Sequence, residues 1–155
     1  MMDRFPKMLA VLVVFAAIGC TSVARGANPA EEAKVVDAMR TMYVAATNDD
    51  LAKFHEVTAP GFLAFDGGMR FGGEELMALV GKLHASGKVF HWEVTQPEVH
   101  IDGAMAWIDY VNQGWVEDAS GRTEATWLES AVLRKENGDW RIVFLHSTRV
   151  PAPPK

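Results

Sequence analysis

Two dipeptides, Asp102-Gly103 and Asn137-Gly138, constrain this chain more than any other feature of it. Each is a two-residue turn signal, because the commonest hairpin turns need positive φ at one or both central residues, and Asn, Asp and Gly tolerate it. Each is flanked by long segments in which apolar and polar residues alternate. Val89 to about Ile101, Ala104 to Val116, Arg122 to Lys135 and Trp140 to about Arg149 therefore read as consecutive antiparallel strands, with a loop around Asp118–Gly121 joining the middle two. Pro97 falls inside the first of them and predicts a bulge or bend there.

The first half reads differently. Pro29 is placed to open a helix, Glu31 and Glu32 follow in its first turn, and Val35, Met39, Met42 and Ala46 recur at helical spacing, with Val36 and Tyr43 widening the stripe. Asn48-Asp49-Asp50 is a loop and N-cap for a short second helix from Leu51 to about Val57, which Pro60-Gly61 is expected to stop. Phe62–Phe65 and Met69–Phe71 are short strand candidates joined by the turn Asp66-Gly67-Gly68. A third helix runs from Glu74 to about His84, with Leu76, Leu79, Val80 and Leu83 on one face. Helices first and a meander of long strands after them make an α+β layer arrangement, with the helices on one face of a curved sheet.

Of the 155 residues, 49% are apolar, and the excess is concentrated near the start. Arg4 and Lys7 precede an unbroken apolar run over residues 8–18, and small residues follow it, which is the anatomy of an export signal. At about 1.5 Å per residue the run spans roughly half of a ~30 Å hydrocarbon core, so a permanent transmembrane helix is not expected. Two cleavage readings stand. Ala17-Ile18-Gly19-Cys20 is similar to a bacterial lipobox, with Ala17 where Leu is more usual, and would leave Cys20 lipidated. Ser22-Val23-Ala24 and Arg25-Gly26-Ala27 are ordinary signal-peptidase sites. The domain plan is a signal peptide over 1–19, a tether over 20–29, one domain over 30–149 and a Pro-rich tail over 150–155. The expected location is periplasmic, membrane-anchored through Cys20 alone or else soluble.

The single cysteine excludes an internal disulfide. The net charge is −5, and loss of residues 1–19 makes the chain more acidic, so there is no basic stripe for a nucleic acid. No His pair has the i, i+4 spacing of a helical zinc site, and no phosphate-binding glycine loop or nucleophile elbow occurs, so neither a metal nor a cofactor is predicted.

The layout, together with Asn48-Asp49-Asp50-Leu51, Phe71-Gly72-Gly73 and the closing pair Leu133–Val143 followed by His146-Ser147, resembles the SnoaL-like domains of the nuclear transport factor 2-like superfamily over about residues 30–149. The resemblance implies a cone: a curved antiparallel sheet wrapped around N-terminal helices, with a pocket at its open end. It implies no single activity, since such domains include isomerases, dehydratases and binding or dimerisation modules. No catalytic set of the superfamily transfers residue by residue. Phe144 stands where related closing strands often carry a His, and Asp66 reads as a turn residue.

Hairpin register assigns faces. A turn at Asn137-Gly138 pairs Lys135 with Trp140, Leu133 with Ile142, Ala131 with Phe144, Glu129 with His146 and Trp127 with Thr148. A turn at Asp102-Gly103 pairs Ile101 with Ala104, and puts Ile108, Tyr110 and Asn112 on the same side. The expected pocket is apolar, with Tyr110, Asn112, Trp127 and Phe144 as ligand-binding residues, and suits a small hydrophobic molecule. Glu129 and His146 are the catalytic pair if the chain is a lyase or isomerase, with His146 as general base oriented by Glu129. The opposite face, with Leu128, Val132, Val143 and Leu145, is apolar enough to predict a homodimer through the sheet.

Overall fold

The computed structural model describes residues 28–151. The segment carrying the export signal and Cys20, and the last four residues of the Pro-rich tail, lie outside the described residues. The elements are α1 (Pro29–Thr47), α2 (Leu51–Val57), β1 (Thr58–Asp66), β2 (Met69–Gly72), α3 (Gly73–Ala85), β3 (Val89–Asp102), β4 (Met105–Asp118), β5 (Gly121–Glu136) and β6 (Asp139–Arg149). They form one six-stranded curved sheet in the order β2-β1-β6-β5-β4-β3, with the helices on its concave side.

Local chemistry accounts for the helix ends. The Asn28 side chain caps α1 by accepting from the Glu31 N–H at 3.3 Å, with Pro29 behind it. Asp50 caps α2 by accepting from the Lys53 N–H at 2.9 Å. Glu75, in the first turn of α3, reaches back to accept from the Gly72 N–H at 2.9 Å. The apolar stripe of α1 is buried as its spacing predicts: Val35, Met39 and Met42 pack with Ile108, Leu133 and Ile142 in the core. At the other end of the same stripe, Glu31 ties α1 to the last hairpin. It accepts from Lys135 Nζ at 2.6 Å and from the Trp140 indole at 2.9 Å.

The strands agree with the sequence pattern in number and order, and differ from it in register at three places. The Asn137-Gly138 turn forms as expected, with both residues at positive φ, and pairs Lys135 with Trp140 and Leu133 with Ile142. Beyond Ile142, however, Val143 is an extra residue on β6. Val132 pairs with Phe144, Ala131 with Leu145, Glu129 with Ser147 and Trp127 with Arg149. The expected pairs Ala131–Phe144, Glu129–His146 and Trp127–Thr148 are therefore corrected by one position, which exchanges the faces of every residue from Phe144 onward. The first β-hairpin after α3 is also shifted, by two: Asp102 pairs with Met105 and the turn is Gly103-Ala104, with Gly103 at φ +60°. An even shift preserves faces, so Ile108, Tyr110 and Asn112 still point inward, all buried. The bulge predicted at Pro97 is present, between Thr95 and Glu98.

The third difference is at β1. Pro60-Gly61 does not end a helix; it forms an irregular stretch inside β1, with Gly61 at φ +79°. Past it, β1 runs parallel to β6, with Leu63 opposite Phe144 and Asp66 opposite Ser147. This is the one parallel pairing in an otherwise antiparallel sheet among the described residues. Curvature also has a local requirement at Gly114 on β4: a Cβ there would lie 1.9 Å from the His91 carbonyl oxygen, so the two strands approach too closely for any side chain.

Candidate functional site

One row of opposed residues crosses the concave face from β1 to β4: Asp66, Ser147, Glu129 and Tyr110. The row below it is wholly apolar, with Ala64, Leu145, Ala131 and Ile108. The row therefore marks where the packed core ends and a cavity begins. That cavity, of about 130 Å³, lies between Asp66, Ser147 and Glu129 of this row, the aromatic face of β3 and the apolar face of α3. Phe90 and Trp92 of β3 and Trp127 of β5 line it, and Leu76, Leu79, Val80 and Leu83 of α3 cover it. The α3 stripe read from the sequence thus covers a pocket, with Leu76 also packed against the core and Leu79 partly exposed.

Glu129 is the centre of a buried hydrogen-bonded set. Its Oε2 accepts from the Tyr43 hydroxyl in a short bond and from Asn112 Nδ2 at 3.0 Å. The Tyr43 and Tyr110 hydroxyl oxygens are 2.9 Å apart. Burial, with Tyr110 and Glu129 beside it, pushes the Tyr43 pKa well above the ordinary tyrosine value. Burial and then Glu129 do the same to Tyr110. Both hydroxyls therefore keep their protons. The Tyr43 hydroxyl has one hydrogen and donates it in the bond to Glu129, so Tyr110 is the donor to Tyr43. Asn112 is fully buried and is held from behind, where its Oδ1 accepts from the Glu93 N–H at 3.0 Å. No buried side-chain polar atom among the described residues lacks a partner, and the two bonds to Oε2 hold the Glu129 carboxyl in place.

Asp66 is the second carboxyl group of the cavity wall. Burial raises its pKa above the usual Asp value, while the Gly67 N–H and the Ser147 hydroxyl pull it partly back. Two carboxyl groups thus face one apolar space, Glu129 held by Tyr43 and Asn112 and Asp66 beside Ser147, an arrangement suited to anchoring a ligand.

The residues expected from the sequence divide as follows. Trp127 lines the cavity. Tyr110 and Asn112 meet Glu129, as the inward face requires, but they stand behind it and do not line the cavity. Phe144 and His146 are on the convex face instead. Phe65 packs edge-on against both, with ring centroids 5.1 Å from Phe144 and 6.1 Å from His146. The expected Glu129–His146 pair is corrected: the extra residue Val143 turns the two side chains to opposite faces, Glu129 buried and His146 exposed. Leu145, expected outside, is buried for the same reason. Tyr43, Ser147 and Asp66 are the site residues that sequence reasoning missed. Tyr43 carried a signal, because a tyrosine on the buried stripe of a helix needs a partner for its hydroxyl. Asp66 serves both as the end of a turn and as cavity wall.

On the convex face Glu98, His100 and Asp109 bring three ligand-type atoms within 4.8 Å of one another. Glu98 and His100 are exposed, and the His100 ring lies stacked on Trp107 at 3.8 Å, so nothing there encloses an ion.

A family model described as a SnoaL-like domain matches residues 35–153. Among solved structures, the association domain of C. elegans CaMKII is similar at 23% identity and a TM-score of 0.65, over 77% of this chain and 96% of that one. A Streptomyces avermitilis protein of the NTF2-like family is similar at 14% identity and a TM-score of 0.68, over 80% and 99%. An NTF2-like protein from Cytophaga hutchinsonii is similar at 13% identity and a TM-score of 0.64, over 80% and 100%. At these identities the likeness is one of fold. No curated protein sequence matches the chain.

Proposed function

The chain belongs to the SnoaL-like domain family, and from that premise we propose that it holds a small, largely apolar molecule in its cone and pairs with a second copy through its sheet. The observation that carries the first part is the cavity itself. It is bounded by Phe90, Trp92, Trp127 and the apolar face of α3, and its polar side chains are Asp66, Ser147 and Glu129 of one row with Tyr43 of α1. Apolar walls with a few fixed polar groups are the usual composition of a small-molecule site. Its volume of about 130 Å³ is close to that of an apolar cavity of ~150 Å³ that accommodates benzene, so the ligand is of one-ring size.

The pairing rests on the convex face. Trp107, Leu128 and Phe65 are 49%, 56% and 42% exposed there; Val132 and Phe144 link Trp107 to Phe65, and Ser130 and His146 stand between that group and Leu128. Exposed apolar side chains grouped in this way on a sheet are the sort that a symmetric partner covers. The apolar run behind Arg4 and Lys7 supports reading the N-terminal segment as an export signal to the periplasm, with the protein held to the membrane by lipid on Cys20 or released as a soluble domain.

Native mass spectrometry of the protein purified from its own host tests all three parts. The expected result is a dimer that releases a small molecule on unfolding and carries an acyl mass on Cys20. Ala46, on the cavity wall, offers a control: Ala46→Phe should lose the small molecule and keep the dimer. A protein that retains nothing, and an Ala46→Phe variant that behaves identically, would remove the cone as a ligand site. A monomer in sedimentation at tens of micromolar would remove the dimer, and an unmodified soluble chain would remove the anchor.

A further inference from the structure

The cavity offers a ligand acceptors and aromatic faces, and almost no donors. Glu129 uses Oε2 for Tyr43 and Asn112, and no described residue donates to its Oε1. Asp66 flanks Ser147 on the other side, two strand spacings from Glu129, about 10 Å between Cα atoms. The Tyr43 and Tyr110 hydroxyls are committed to each other and to Glu129. Phe90 and Trp92 stack at 5.1 Å with their planes 2° apart and form one continuous aromatic wall. No lysine, arginine or histidine is among the lining residues. Arg149 stands outside the lining, its guanidinium 5.9 Å from the centre of the Trp127 ring.

We propose that the cone selects small organic cations, namely primary amines on a compact apolar or aromatic group. The ammonium is held by Glu129, Asp66 and Ser147, and the apolar group lies against Phe90, Trp92 and Trp127. This rests on the reading of the cone as a ligand site. An ammonium has three donors and no acceptor, which matches two carboxylates and a hydroxyl oxygen in one row. Aromatic faces add attraction for a cation once water is excluded. An anionic ligand would meet two carboxyl groups and no countercharge, and a neutral one would make no charge-assisted bond to either. Burial disfavours the charged form of Asp66, and a bound cation offsets that cost.

Calorimetric titration of the purified full-length protein with benzylamine, benzyl alcohol and benzoate tests this, since the three share a ring and differ in charge. Benzylamine is expected to bind about tenfold or more tightly than benzyl alcohol, the range of a charge-assisted hydrogen bond. Benzoate is expected not to bind. Asp66→Asn and Glu129→Gln should each weaken benzylamine about tenfold and leave benzyl alcohol within about twofold. If Glu129→Gln does not fold, Asp66→Asn and the three-ligand series on the unaltered protein still decide. Equal binding of alcohol and amine, or binding of benzoate, overturns the selectivity and leaves the cone a ligand site. Absence of binding by all three overturns both.

Discussion

Glu129 and His146 lie on adjacent strands, and the register separates them by one residue. Glu129 faces the concave side, where Tyr43 and Asn112 bond to it and Tyr110 supports Tyr43. His146 faces the convex side, exposed, with the edge of Phe65 as its neighbour. The first environment is over-determined: each group has a partner, and removing one leaves another unsatisfied inside an apolar wall. The second has little that depends on it within one copy of the chain. The difference shows that polarity and proximity along a strand pair do not make a site. The face does, and here one bulged residue sets the face.

Deletion of Val143 should break that difference outright. Without the extra residue, Phe144 and His146 turn inward while Leu145 and Ser147 turn out, and the parallel pairing to β1 loses its match. The expected loss is about 4 kcal/mol or more, or failure to fold, as measured by urea unfolding. A deletion variant of unchanged stability would mean that the bulge is not what sets the faces. Tyr43→Phe should cost less, about 1–3 kcal/mol, because it takes one donor from Glu129 and leaves the Tyr110 hydroxyl without its partner. On the convex face, His146→Ala should change stability by no more than about 0.5 kcal/mol and leave ligand retention intact. A large loss there would show that His146 is more tightly bound into the fold than its exposure indicates.

The smallest effect is expected in acid, at the end of the hairpin that α1 secures. Lys135 first, then Lys34 and the Trp140 indole, hold the Glu31 pKa down from 4.5 to about 2. A carboxyl with a lowered folded pKa contributes stability that is complete above its unfolded value and is lost as pH falls toward the folded one. The stability difference between the unaltered protein and Glu31→Gln should therefore shrink between about pH 4.5 and about pH 2, followed by unfolding at stepped pH. A constant difference across that window would show that Glu31 acts through packing instead of charge.

The two halves of the last hairpin also show how much could be read in advance. Near the turn, Asn137-Gly138 sets the register, because few residues other than Asn, Asp and Gly accept positive φ at both centres. Lys135–Trp140 and Leu133–Ile142 follow directly. Farther on, Ile142-Val143-Phe144-Leu145 is apolar at all four positions, so alternation carries no information about which residues face inward. The bulge falls there. Glu129 and Trp127 on β5 and Tyr110 and Asn112 on β4 belong to strands without the extra residue, and their inward faces were legible. Phe144 and His146 lie after it and were not. Asp66 could be read only as a turn residue, since its place beside Ser147 depends on β1 running parallel to β6, a pairing between segments far apart in the chain.

The sequence by itself determined the order of elements, the helix caps, the Asn137-Gly138 turn and the apolar face of each helix. These depend on φ preferences and periodicities that act over a few residues. The tertiary structure alone decided which carboxyls share a cavity, which histidine is excluded from it, and that α3 closes the cone. Those outcomes depend on register and on parallel pairing. Such long-range contacts are chosen by how well the whole core packs, and no short stretch of sequence specifies them.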